Sequence, residues 1–196
     1  MNLPTSPGRL YLAMAAVLGL SLAACGPRSF DLAPLSARDT VKGAPDWMFE
    51  VPQSDDHLTA TATATSRDMQ VALDKARTTA QAEIAQQLGA RLDDVTRRFV
   101  DEAGEGINSE LLSAFTATTK AITSQRITGT HVVEREVRAE NDIYRAYVMM
   151  RMPIGAANQR LMQQMSQNDA LYTRFRASKA YAELEEEIRR FQETEQ

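Results

Sequence analysis

Between Leu58 and Ser66 small apolar and hydroxyl side chains alternate without a break. Leu58, Ala60, Ala62 and Ala64 share one face, and Thr59, Thr61, Thr63 and Thr65 share the other. A period of two predicts a β-strand, and alanine along its inward face brings whatever covers it unusually close. From Met69 the period changes. Met69, Leu73, Ala76, Ala80, Ile84, Leu88, Leu92, Val95 and Phe99 follow one another at steps of three or four, which predicts one long amphipathic helix. Its N-cap is expected at Thr65 or Ser66, whose hydroxyls suit that position. Its first half presents Ala72, Ala76 and Ala80 to the alanine face of the strand, so a tight helix-on-sheet contact is predicted.

Gly104 and Gly106 interrupt the helical period, and Ile107, Leu111, Ala114, Phe115 and Ile122 restart it as a second helix. Two β-rich runs follow, 127–138 and 143–152, joined across Glu140-Asn141-Asp142 as an antiparallel hairpin. In the second run Tyr144, Ala146, Val148, Met150 and Met152 form an apolar face, with Arg145 and Arg151 opposite, and that face is the expected core side. Pro153 cannot donate to a ladder and closes the strand. Residues 154–191 read as helical with an interruption at Asn168 and Asp169. There Glu185 with Arg189, and Glu186 with Arg190, stand in the favourable i, i+4 order. Tyr181, Leu184, Ile188 and Phe191 make a narrow seam, read as packing on its own domain, with a short coiled-coil contact to another subunit as the alternative. The fold class is α+β: a small antiparallel sheet of about three strands packed against a long amphipathic helix, with a long helical segment at the C-terminus.

The first residues are built differently. Arg9 is the only charge before an apolar run over 10–22; such a run is about 13 residues, whereas a helix spanning the hydrocarbon core needs roughly 20. This is the profile of a cleavable signal peptide. Leu22-Ala23-Ala24-Cys25 then resembles the bacterial lipobox, in which small residues admit a peptidase and the cysteine thiol takes a diacylglyceryl group. Residues 1–24 are expected to be removed. Cys25 is the only cysteine, so no intramolecular disulfide is possible, and a thioether removes the liability of a lone exported thiol. An ordinary secretory signal with a chance cysteine is the alternative. Gly26, rather than aspartate, follows Cys25, so the expected address is the outer membrane, with the body facing the periplasm. Residues 25–44, with Pro27, Pro34, Ser29, Ser36 and Gly43 and no apolar period, read as a lipidated flexible tether. The 22 residues from Cys25 to Trp47 reach at most roughly 75 Å extended and about 25 Å as a coil. A single domain is expected over 45–196.

Charge and chemistry narrow the functional classes. The chain has 24% charged and 43% hydrophobic residues and a formal net charge of −4, and loss of 1–24 makes it one unit more negative. With no basic tract, nucleic-acid binding has no electrostatic footprint. The two histidines, His57 and His131, lie in no ligand-spaced group, so neither a zinc site nor any cofactor is supported. Asp55 and Asp56 beside His57 form a polar turn in which a carboxylate could meet the imidazole, or simply a strand entry. Nucleophile elbows, phosphate loops and dinucleotide fingerprints do not occur, and no catalytic residue is assigned. Asp93 with Asp94, and Glu185 to Glu187, read as solvated helix faces. Met149, Met150 and Met152 read as core filling.

Pro45-Asp46-Trp47, then Pro52, a strand, and a long helix whose alanines at 72, 76 and 80 run into Ile84 and Leu88, together with the strand 143–152, resemble the family of twenty-kilodalton outer-membrane lipoproteins, the Lpp-twenty-like lipoproteins. Where relatives often carry glycine in the first strand this chain has alanine, which meets the same need for a small side chain. The resemblance implies an outer-membrane lipoprotein without known catalytic residues. Some relatives are structural components of the envelope, including a flagellar lipoprotein associated with the outer-membrane part of the motor. The functional expectation is therefore a non-enzymatic envelope lipoprotein, bound to the membrane through lipid on Cys25 and engaging a protein partner or copies of itself. The alternatives are a binding module for cell wall or another envelope ligand, and a hydrolase using unrecognised carboxylates.

Overall fold

The alternating segment is a strand and the long periodic segment is a helix. In chain order the elements are α1 (Ala37–Gly43), β1 (His57–Ser66), α2 (Met69–Ala103), α3 (Ser109–Ser124), β2 (His131–Glu140), β3 (Ile143–Pro153), α4 (Ile154–Met165), α5 (Asp169–Arg176) and α6 (Lys179–Thr194), with a 3-10 turn at Asp46–Met48. The computed structural model describes residues 30–104, 109–124 and 129–194. Gly106, Ile107 and Ile127, invoked above, lie outside them.

The sheet is antiparallel in the order β1-β3-β2. Its alanine face, Ala60 and Ala62 on β1 with Ala146 on β3, is buried, as are Ala72, Ala76 and Ala80 of α2. Small side chains on both partners let the helix axis approach the sheet. At 35 residues and a rise of 1.5 Å each, α2 is about 52 Å long, and ten-residue strands cover only about 33 Å of it. Its apolar stripe therefore continues past the sheet as Leu92, Val95 and Phe99, all buried. The overhang is met by an aromatic cluster. Phe99 stacks on Phe115 of α3 at 4.7 Å between centroids, and Phe175 of α5 packs edge-on against both at 5.4 and 5.2 Å. Tyr181 of α6 adds a further edge contact to Phe175 at 5.6 Å.

Local signals set most element ends, with some differences from expectation. The N-cap of α2 is Asp68, which accepts from Val71 N at 3.0 Å; Ser66 instead accepts from Asp68 N at 3.3 Å and shapes the preceding turn. Gly104, at φ 54, ends the helix in a left-handed conformation that disfavours a side chain. Asn168 breaks the C-terminal helices where expected, accepting from Leu171 N at 3.0 Å. The hairpin turns at Asn141 (φ 51) and Asp142. Its strands run over His131–Glu140 and Ile143–Pro153.

Two expectations change. The apolar face of β3 faces the core at Ala146, Val148, Met150 and Met152, but Tyr144 is 38% exposed at its end, and Tyr147 and Met149 on the opposite face are buried at 2% each. That outer face is covered by the chain from Gly43 to Met48, where the segment read as a tether runs into the start of the expected domain. Asn141 Nδ2 donates to Ala33 O at 3.3 Å, Arg138 of β2 donates to Gly43 O, and Thr61 of β1 donates through its hydroxyl to Met48 O at 3.5 Å. Between the last two anchors the chain crosses from β2 to β1, over β3, and Pro45 on this crossing is buried. Within it α1 is capped by Ser36, which accepts from Asp39 N at 3.3 Å. The compact unit accordingly begins at Leu32. Beneath the crossing, Arg145 and Glu140 form an ion pair at 2.5 Å with side chains only 12% and 4% exposed.

Ala76 is fully buried at the helix–sheet contact. Ala76→Leu is expected to overpack it and cost about 1–3 kcal/mol, read as a lower midpoint in a thermal melt. An unchanged melt would refute the close-packing account.

Candidate functional site

Cys25 lies outside the described residues. Within them, the groups singled out by their chemistry gather at one end of the sheet. β1 begins with His57, which is in register with Pro153 of β3, and β2 begins with His131, in register with Arg151. Both imidazoles therefore line one pocket of about 210 Å³, with Asp55 and Asp56 before β1, Ile154 and Gly155 opening α4, and Glu187 and Phe191 from α6.

Several of the polar groups there have partners that limit what they can do. Asp56 accepts from Ile154 N through its backbone carbonyl at 2.9 Å, extending the β1–β3 ladder by one bond. Its carboxylate faces Arg190 at 3.5 Å. Glu187 is engaged on both oxygens, one by Arg91 of α2 and the other by Asn158 Nδ2 of α4 at 2.5 Å. Asn158 is 1% exposed. A carboxylate held this way locks three helices together. His57 is pushed below its ordinary 6.5, first by burial and then by the Arg151 charge, with Asp56 pulling the other way, so its imidazole is neutral at pH 7. His131 Nδ1 lies 3.3 Å from Gly129 O. The one hydroxyl on the lining, Thr194, donates to Arg190 O at 2.9 Å, so no nucleophile–base pair forms. Among the described residues no three His, Cys, Asp or Glu side chains converge as a metal site.

Other expectations resolve individually. Glu187 is not on a solvated face; its side chain is 17% exposed. Glu186 pairs with Arg189 at i, i+3, and Arg189 also reaches Glu193, whereas the expected partner of Glu186, Arg190, turns to Asp56. Asp94 pairs with Arg97 at 3.6 Å. Met149, Met150 and Met152 are buried in packing roles. The seam on α6 packs within its own chain: Tyr181 and Leu184 are buried, and Phe191 seats on α4 at Gly155. A methyl group on Gly155 would fall on Phe191 Cβ, 2.7 Å from its Cγ and 3.1 Å from Glu187 O. Tyr181 Oη lies 3.4 Å from Tyr172 Oη, and that hydrogen bond, then burial, pushes its phenol up to about 12. The Arg91–Glu187–Asn158 cluster was not foreseen. Gly155-Ala156-Ala157 at the start of α4 was its available signal, since a run of small residues marks a close helix contact.

No protein-family model matches this sequence, and no curated protein matches it.

Gly155→Ala is expected to destabilise by about 1–3 kcal/mol through overpacking, although the same change in an open helix stabilises by roughly 1 kcal/mol; chemical denaturation gives the sign directly. A second outcome concerns pH. The unfolded chain protonates His57 near 6.5 while the fold resists it, so the imidazole's contribution is complete above that value and is lost as pH falls through the lowered folded value. Replacing His57 by Gln should flatten this part of the stability profile, and an identical profile in the variant would remove His57 as its source.

Proposed function

We propose that this chain is a non-enzymatic lipoprotein of the bacterial envelope, held in the outer membrane by lipid on Cys25, with its α+β body in the periplasm serving a scaffold or assembly role. The observation that carries the reading is Leu22-Ala23-Ala24-Cys25 at the end of an apolar run, with Cys25 the only cysteine. Several features support it. Glu187 and Asp56 at the histidine pocket hold helices and strands together, and the resemblance to twenty-kilodalton outer-membrane lipoproteins points to structural rather than catalytic relatives. Among the described residues no helix is long and apolar enough to cross a membrane. A single acyl chain binds membranes marginally and reversibly, whereas a diacyl group with an N-acyl chain is effectively permanent.

On this reading the docked crossing shortens the leash. Ala33, which Asn141 holds, is eight positions after Cys25, a length of at most roughly 28 Å extended, against the longer reach of a tether running to Trp47.

Replacing Cys25 by Ser in the producing cell is expected to leave the precursor uncleaved or to release the protein from the membrane fraction. Labelling with a fatty-acid analogue should mark the wild-type protein and not the variant. Normal maturation with full membrane retention in the variant would overturn the proposal.

A further inference from the structure

The two edges of the sheet differ. β2 carries Glu134, Arg135, Glu136, Arg138 and Glu140, and its register shifts between Val132 and Glu134; charge and a bulge are the devices by which natural edge strands repel a further strand. β1 has neither. From Leu58 to Ser66 it holds no charge, no proline and no bulge, and it pairs with β3 in unbroken register. Among the described residues no strand lies beyond it.

The hairpin fixes which groups of β1 point outward. A two-residue turn is closed by a hydrogen-bonded pair, here Glu140 and Ile143, so the odd residues of β3 bond to β2 and its even residues to β1. Met152, Met150, Val148 and Ala146 then use Leu58, Ala60, Ala62 and Ala64. The N–H and C=O groups of Thr59, Thr61, Thr63 and Thr65 are left on the open side. Gln87 of α2 confirms the direction by donating its Nε2 to Thr59 O at 3.2 Å, which already occupies that carbonyl. What remains open is Thr61, Thr63 and Thr65, a set centred on Thr63, and Thr63 is exposed. The Met48 carbonyl meets the Thr61 hydroxyl above the sheet, outside the plane an added strand would occupy.

We propose that β1 pairs antiparallel with β1 of a second copy of this chain about a two-fold axis at Thr63, joining two three-stranded sheets into one. The partner is named by the symmetry of the strand itself. With Thr63 opposite Thr63, Thr61 meets Thr65 and Ala62 meets Ala64, so hydroxyl faces hydroxyl and alanine faces alanine, and every open amide finds a carbonyl. Cross-strand threonine pairs are favourable, and no like charges oppose one another. Beside this edge runs a shallow recess lined by Ala64, Val71, Asp74, Lys75 and Thr78, small or apolar apart from one charge of each sign, a composition that two-fold contact tolerates. The proposal rests on the assembly reading above, for which it supplies the partner and the surface.

The test uses full-length, membrane-extracted protein. Its mass in detergent, corrected for bound detergent, should be that of a dimer. Thr63→Cys places a thiol on the axis, where paired residues stand about 5.5 Å apart between Cα atoms. A short bismaleimide should therefore join most of the chains, whereas Val133→Cys on the opposite edge should give no bridge. Thr63→Lys sets two charges against each other and should weaken the dimer by roughly tenfold or more with unchanged circular dichroism; if that variant unfolds, the cysteine pair decides alone. A monomeric mass, or a dimer that Thr63→Cys cannot bridge, overturns the proposal. Reactivity of wild-type Cys25 toward the same reagent would instead refute its lipidation, so the two failures are separable.

Discussion

The distance between α2 and the sheet is set by methyl groups. Ala72, Ala76 and Ala80 on the helix and Ala60, Ala62 and Ala146 on the strands are all buried, so small side chains meet small ones along this contact. Interiors packed to crystalline density accommodate added volume only by moving something, and here neither a 35-residue helix nor a three-stranded sheet can move alone. Because alanine contributes little apolar area, the contact supplies geometry more than burial energy. Larger side chains supply that area, in the aromatic cluster at the far end of α2 and in the methionines of β3, two of which, Met150 and Met152, share the core face with the alanines.

The rest of the architecture follows from that division. The helix overhangs the sheet, so its distal half needs a second floor, which α3, α5 and α6 supply. Polar links then fix the angle of this floor. Arg98 pairs with Glu183 at 2.5 Å, and Glu102 accepts from Lys179 N at 2.6 Å, placing a carboxylate at the start of α6 where the helix dipole favours it. On the other side of the sheet, the chain crossing from Gly43 to Met48 turns β3 into a strand buried on both faces.

What could be read in advance was local. Period two gave β1, steps of three and four gave α2, and Asn168 announced a helix start, because each signal lies within a few residues of its effect. The buried outer face of β3 was also announced, by the unbroken apolar run from Ala146 to Met150, a pattern typical of strands covered on both sides. Alternation in the same strand drew attention away from it. Ser36 with Asp39 was likewise a readable capping pattern for α1. The Arg91–Glu187 bridge joins residues 96 apart, and nothing near either one in sequence names the other. The shared pocket of His57 and His131 is of the same kind: strand order and register bring the two together, and both are tertiary outcomes.

The crossing over the outer face has a mechanical meaning. A pull applied upstream of Ala33 reaches the sheet through the contacts at Ala33, Gly43 and Met48, which lie in series on the β2–β3 turn, β2 and β1. Each must give before the next is loaded. Tension would thus peel this segment away stepwise and bare Tyr147 and Met149 while α2 still grips the other face, so the domain yields first on its outer sheet face.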